Sequence, residues 1–308
     1  MASLLKRLSQ RSNSGSSKSK MVGNAIKDFN NMSADAKAYF NEVAQLPFSQ
    51  QAVAFLNAYW EEVSDQAEFI FSVAWETMKL ADMHTKGVSL IHLYEEGVVV
   101  DFNVGLYFYE KLCKFVLESD EGRKWRNDPK YKVSMPEMMT AIVRKKELRD
   151  KVDVNFDGKI SFLEYLLYQY RDITNPAEFT RRAMIITSGG KETEDPRVTA
   201  ARLALDEVNE KIRAYEMEKA RLTELSKQSG VKGLGAKHQL TMLVSSPIAE
   251  ELQVALIKAE AAVRAAVRAT KAGNSVSASQ DGPQAGANPG ALWWMNRDLE
   301  EKKKRYGR

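Results

Sequence analysis

One stretch of twelve residues restricts what this chain can fold into more than any other. Residues 153–164 read Asp-Val-Asn-Phe-Asp-Gly-Lys-Ile-Ser-Phe-Leu-Glu. Side-chain oxygens fall at positions 1, 3 and 5 of the stretch, on Asp153, Asn155 and Asp157. Gly158 stands at position 6, where the backbone must turn sharply. Lys159 at position 7 can offer its backbone carbonyl while its own charge points away. Ser161 at position 9 ligates directly or through a water, and Glu164 at position 12 can close the set with both carboxylate oxygens. This is the ligand order of a calcium-binding EF-hand loop, with no ligand missing. Such a loop works only between two helices, so it predicts a helix–loop–helix unit. Ca2+ is the implied cofactor.

Ile160, at position 8, is the apolar residue through which one EF-hand loop pairs with another. A partner is therefore expected nearby. Residues 93–104, Leu-Tyr-Glu-Glu-Gly-Val-Val-Val-Asp-Phe-Asn-Val, read as a degenerate EF-hand with Val100 at position 8. Leu93 at position 1 and Val104 at position 12 exclude calcium there. An ordinary hairpin or strand remains the alternative.

The rest of the chain is helical in pattern, and the fold class is all-α. An EF-hand-containing helical domain is followed by a long coiled-coil-like helical hairpin. Ser33 can cap a helix reaching Leu46. Ser49 can start a long helix, Gln50 to Met83, with Val53, Leu56, Tyr59 or Trp60, Val63, Ala67, Phe71 and Trp75 on one face. Ser134 and Glu137 suit a capping box opening the helix 137–152 that enters the intact hand. The exiting helix, 162–171, is apolar on almost every face and must be buried. Residues 187–196 form a polar break. Beyond it, 196–228 places Val198, Ala201, Leu205, Val208, Ile212 and Tyr215 at alternating spacings of three and four. Glu207 and Lys211 suit an i,i+4 pair on this helix. A second helix from Pro247 to 272 presents Ile248, Leu252, Ala255, Ala259, Ala262 and Ala266. The connector holds Gly230, Gly233 and Gly235 and reads as a flexible turn. Five segments follow: a disordered basic tail 1–20, the EF-hand domain 21–187, the hairpin 196–272, a flexible linker 273–290, and a Trp/basic segment 291–308.

Charge narrows the partners. The 308 residues carry a net +4, but residues 1–20 hold five basic side chains and no acid, and 291–308 hold six basic and three acidic. The body between these ends is acidic. Two basic ends suit a large polyanion, and two solvated tails are the plainer reading. Nucleic acid is not expected, because the basic residues are not interleaved with aromatics. No run of about 18 uninterrupted apolar residues suggests a membrane span. The single cysteine, Cys113, forms no internal disulfide and suits a reducing cytosol. His84, His92 and His238 lack metal-ligand spacing, and no phosphate loop is present. The chain does not read as an enzyme. Trp293 and Trp294, after a loose linker, either dock on this chain's own body or anchor a partner.

Several stretches resemble a known family. They are Leu46-Pro47-Phe48-Ser49-Gln50-Gln51-Ala52-Val53, Phe55-Leu56-Asn57-Ala58-Tyr59-Trp60, Val152 to Tyr170, Ala200 to Glu224, Val231-Lys232-Gly233-Leu234-Gly235-Ala236, and the ending Trp293 to Gly307. The chain resembles the calcium-regulated actin-bundling proteins of amoebae and related protists over about residues 33–308. The resemblance implies cytosolic proteins, at the actin cytoskeleton of the cell cortex or protrusions, that cross-link filamentous actin, with calcium inhibiting the bundling. It also implies more than one actin contact per chain. Candidate contacts are Arg213, Lys219, Arg221, Lys227, Lys232 and Lys237 on the hairpin and its connector. Trp293, Trp294, Lys302, Lys303 and Lys304 are candidates at the C-terminus. A monomer is favoured. The rival reading is a calcium-sensing adaptor that binds anionic membranes through residues 1–20.

Overall fold

The computed structural model describes residues 25–88, 94–190, 196–245, 248–274 and 288–307. The basic tail 1–20, Leu93, Asp195, Pro247 and most of the linker 273–290 lie outside the described residues. The chain divides into two compact units. The first comprises residues 1–87 and 96–185, and the second comprises 88–95 and 186–308.

In the first unit, Ser33 caps α1 (Ala34–Ala44) by accepting a hydrogen bond from the Ala36 amide. The expected long helix 50–83 is broken. Pro47 precedes α2 (Phe48–Ala58), and the chain then passes through α3 (Trp60–Val63), a 3-10 turn (Ser64–Gln66), α4 (Ala67–Phe69), a wide π turn (Ile70–Trp75) and α5 (Glu76–Thr85). A long-range contact explains the break at Tyr59. This ring is fully buried, its hydroxyl donates to the Asn175 carbonyl at 3.1 Å, and the Arg182 guanidinium lies 4.8 Å from its centroid. Ser49 does not cap a helix; its hydroxyl donates to Glu96 at 2.6 Å.

Strand β1 (Val99–Asp101) leads into α6 (Phe102–Cys113) and a π turn (Lys114–Glu118). Next come α7 (Arg123–Asn127) and a 3-10 turn (Pro129–Ser134). The Ser134–Glu137 capping box does not form. The Ser134 hydroxyl is buried between Gln66 and Tyr170, each at 2.7 Å. The entering helix instead starts later, as α8 (Ala141–Glu147), capped by Thr140 and extended by a π turn (Leu148–Val152). β2 (Lys159–Ser161) and α9 (Phe162–Gln169) follow, and then α10 (Pro176–Gly190). That last helix runs into the expected polar break 187–196 as far as Gly190.

Helix α9 is buried on every residue from Phe162 to Tyr168, as its largely apolar sequence requires. It lies in an aromatic core. Phe108 meets Tyr165 edge-on at 4.9 Å, and Phe48 approaches Phe162 at 6.4 Å. Each fully buried Phe contributes roughly 1.5–3 kcal/mol.

In the second unit, α11 (Pro196–Ser226) and α13 (Ile248–Asn274) run antiparallel. Glu207 pairs with Lys258 at 2.7 Å and Lys211 with Glu251 at 3.4 Å, so these charges bridge the two helices rather than each other. Val198, Ala201, Leu205 and Val208 pack with Leu252, Ala255, Leu256, Ala259, Val263 and Ala266. The alanines let the backbones approach closely. The connector is not a loose turn. Residues Val231–Ser245 form a helix, α12, packed mainly on α11. A Cβ at Gly233 would meet the Gln228 carbonyl oxygen at 1.8 Å, so the corner between α11 and α12 needs glycine there. The C-terminal segment is also a helix, α14 (Pro289–Tyr306), against α13 and α11. By length and composition Val231–Ala269 is apolar enough to cross a membrane, but its α13 part buries its apolar side in this bundle.

Candidate metal centre

The loop 153–164 is shaped by hydrogen bonds from its own amides to its side-chain oxygens. The Asp153 Oδ2 accepts from the Gly158 amide at 3.1 Å, the Asn155 Oδ1 from the Asp157 amide at 3.1 Å, and the Asp157 Oδ1 from the Lys159 amide at 2.8 Å. Gly158 has φ +77°, and Phe156 takes φ 58°, an uncommon conformation for a bulky residue. These turns curl the loop tightly; Asp153 is buried while Asp157 stays exposed. The Lys159 side chain is exposed.

The strand pairing secures the loop from behind. Val100 stands opposite Ile160 in the antiparallel pair β1–β2. The two loops then end alike. Ser161, at position 9, caps α9 by accepting from the Glu164 amide, and Asp101, at position 9 of the other stretch, caps α6 by accepting from the Asn103 and Val104 amides. At position 12 they differ: Val104 is buried apolar surface and Glu164 is a buried carboxylate. In the first loop an acidic side chain is committed to protein partners. Glu96 accepts from the Ser49 amide, the Ser49 hydroxyl and the Trp75 indole.

Two observations fit the intact loop to a cation. Asp153 is 2% exposed, and its Oδ1 is buried without a hydrogen-bond partner. A buried carboxylate oxygen left so carries a large desolvation cost unless a cation meets it. Glu164 is 1% exposed, and burial pushes its carboxyl up to about 8 against the opposing hydrogen bonds from Ser161. Burial likewise raises Asp153, with Asp157 adding to the rise and the Gly158 amide opposing it. Hard oxygen donors of this kind suit Ca2+. No group of three or more His, Cys, Asp or Glu side chains converges as a metal cluster among the described residues. The donor set explains this, because Asn155, Ser161 and the Lys159 carbonyl share the work. Moreover, the Glu164 oxygens now accept from the Val154 amide and from the Ser161 amide and hydroxyl.

Two residues outside the loop also hold it. Asn155 donates to the Asn41 Oδ1 of α1 at 3.0 Å. Gln51 of α2 is fully buried. Its Nε2 donates to the carbonyls of Ala44, Leu46 and Val98, and its Oε1 accepts from the Leu163 amide at 2.8 Å. A glutamine on an otherwise apolar helical face was the available signal for Gln51. Nothing local marks Asn41.

The expected filament contacts scatter over the second unit. Arg213 pairs with Glu95, Arg221 with Glu218 and Lys227 with Glu224, and Lys219 lies over Tyr215 at 5.8 Å. Lys232 and Lys237, on α12, are exposed and make no ion pair among the described residues. Beside them Val231 and Leu234 are 87% and 67% exposed. At the C-terminus Lys302 pairs with Asp298 and Lys303 with Glu260, and Lys304 is exposed. Trp294 is 6% exposed, which favours the docking alternative for it; Trp293 is half-buried.

Comparison with known proteins places the chain. Residues 163–304 match a family described as F actin bundling C terminal. A calcium-regulated actin-bundling protein of Dictyostelium discoideum is 57% identical over 276 residues, 90% of either chain. The chain belongs to this protein's family. The crystal structure of a 34 kDa F-actin bundling protein from Dictyostelium discoideum superposes with a TM-score of 0.77 at 56% identity, covering 90% of this chain and 99% of that one. Family membership therefore spans both units.

Proposed function

We propose that this chain binds filamentous actin and cross-links filaments into bundles, and that Ca2+ held by residues 153–164 inhibits the bundling. The observation that carries the reading is 57% identity across 90% of the chain with a calcium-regulated actin-bundling protein. The loop supplies the switch through Asp153, Asn155, Asp157, the Lys159 carbonyl, Ser161 and Glu164. Its orphaned Asp153 oxygen favours a resident cation. The inhibitory sign rests on the family resemblance alone. Action by binding rather than catalysis, in the cytoplasm at the actin cytoskeleton, fits the same relatives; a monomer at the cortex or protrusions is the accompanying proposal.

On α12, Lys232 and Lys237 with Val231 and Leu234 are the best-supported filament contact. Their cations are not neutralised by neighbours, and apolar surface lies beside them. Lys304 and Trp293 stand as secondary candidates. Arg213, Arg221 and Lys227 are weaker ones, because each would first give up an acidic partner.

Cosedimentation tests the reading. Low-speed pelleting reports bundles and high-speed pelleting reports binding to single filaments. Bundling should fall when calcium is added to the wild type. Glu164→Gln removes one ligating oxygen and should keep bundling in calcium. Inhibition of this variant at wild-type calcium concentrations would exclude the loop as the switch.

A further inference from the structure

A cross-linker must grip two filaments, and α12 offers only one grip. The first unit carries a surface of the same composition at a different place. Residues 138–151 hold five basic and two acidic side chains on a chain body that is acidic overall. Within them Ile142 is 84% exposed and Met138 62%, a solvent cost that a packed helix ordinarily avoids. Lys145 donates only to the neutral Asn103 Oδ1 at 3.2 Å, and Lys146 makes no ion pair among the described residues. Neither lysine makes an ion pair among the described residues, although Asp150, itself paired with Arg149 at 2.8 Å, lies within electrostatic reach of Lys146. On a helix, residues 142, 145, 146 and 149 share a face, so Ile142, Lys145, Lys146 and Arg149 present together.

The base beneath this face is rigid. Arg144 is 3% exposed, pairs with Glu147 at 2.6 Å, and stacks over the Tyr109 ring at 4.1 Å. Leu148 is fully buried. The exposed apolar residues are thus held outward by a fixed helix. That is the arrangement on α12, where Val231 and Leu234 stand beside the unpaired Lys232 and Lys237.

We infer that the α8 face formed by Ile142, Lys145 and Lys146, with Met138 in the segment just before the helix, is the second filament-binding surface, fitted to an acidic, partly apolar patch on actin. The inference rests on the functional reading above. Charge complementarity to a polyanionic filament selects the occupant, and bundling requires a contact separate from α12. The location also gives calcium access to it. Helix α8 continues through Leu148–Val152 directly into the ligand Asp153, so a change in the loop acts on this face without an intermediary.

The test is the double variant Ile142→Ser/Lys146→Glu in the full chain, with Leu80→Ser as a matched change at an exposed apolar residue elsewhere in the unit. Both altered positions are exposed, and an unchanged thermal midpoint with unchanged calcium binding certifies the fold. Should the midpoint fall, Lys145→Glu/Lys146→Glu replaces the variant. Expected is retention of high-speed pelleting with filaments and loss of low-speed pelleting, with Leu80→Ser behaving as wild type. Wild-type bundling by the variant overturns the inference. So does loss of all filament binding, which would make α8 the primary grip. Binding to vesicles rich in anionic lipid that the variant loses while it still bundles assigns the face to membranes and overturns it as well. A wild-type chain that pellets with no filament sinks the functional reading itself, and this inference with it.

Discussion

Gln51 shows how much a single buried side chain can organise. It joins α1, the β1 strand's approach and the first turn of α9, through carbonyls of Ala44, Leu46 and Val98 and the amide of Leu163. Leu163 precedes the closing ligand Glu164, so the glutamine sets where that carboxylate starts. Gln51→Leu keeps the volume and strands four backbone groups. An unsatisfied buried group costs about 1–3 kcal/mol, so a loss of at least about 3 kcal/mol in unfolding free energy is expected in urea titrations. Asp153 carries the complementary lesson. Its proposed ligand role comes from position 1 of the loop, and its unpartnered Oδ1 adds a physical reason for an ion to bind there.

Among the elements, α12 departs furthest from its sequence pattern. Three glycines over six residues suggested a flexible turn, yet Gly233 is needed for tight packing and Gly230 for its φ of +91°. Glycine marks both looseness and close approach, and only the neighbours distinguish them. Gly233→Ala forces a Cβ into the Gln228 carbonyl and should lower stability by about 1–3 kcal/mol. Its thermal midpoint falls, and filament binding weakens with it if α12 is the grip. The segment 50–83 failed for the opposite reason. Its apolar spacing is helical, but the break at Tyr59 follows contacts with Asn175 and Arg182 that lie over a hundred residues away.

For the whole molecule, charge placement matters more than net charge. Several candidate cations, Arg213, Arg221, Lys227, Lys302 and Lys303, already hold an acidic partner, and such cations bind a new partner poorly because it must displace an acid already present. Lys232→Glu/Lys237→Glu alters two cations that have no such acid. High-speed pelleting should fall steeply for this variant, and the residual binding of the wild type should weaken as salt rises. Unimpaired pelleting would remove α12 from the interface.

The calcium loop, the buried α9, the α11 seam and the all-α class were legible because each depends on spacing within one short stretch. Asp153 to Glu164 need only their own order to declare a ligand set. Likewise, Val198 to Tyr215 need only a helical period to declare a face. Tertiary structure alone decided what lies across from these stretches. It set Val100 opposite Ile160, put Gln51 behind Leu163, turned the glycine connector into a helix, buried Trp294, and left Ile142 and Val231 in solvent. Exposure and pairing are properties of two surfaces, and a sequence shows one surface at a time.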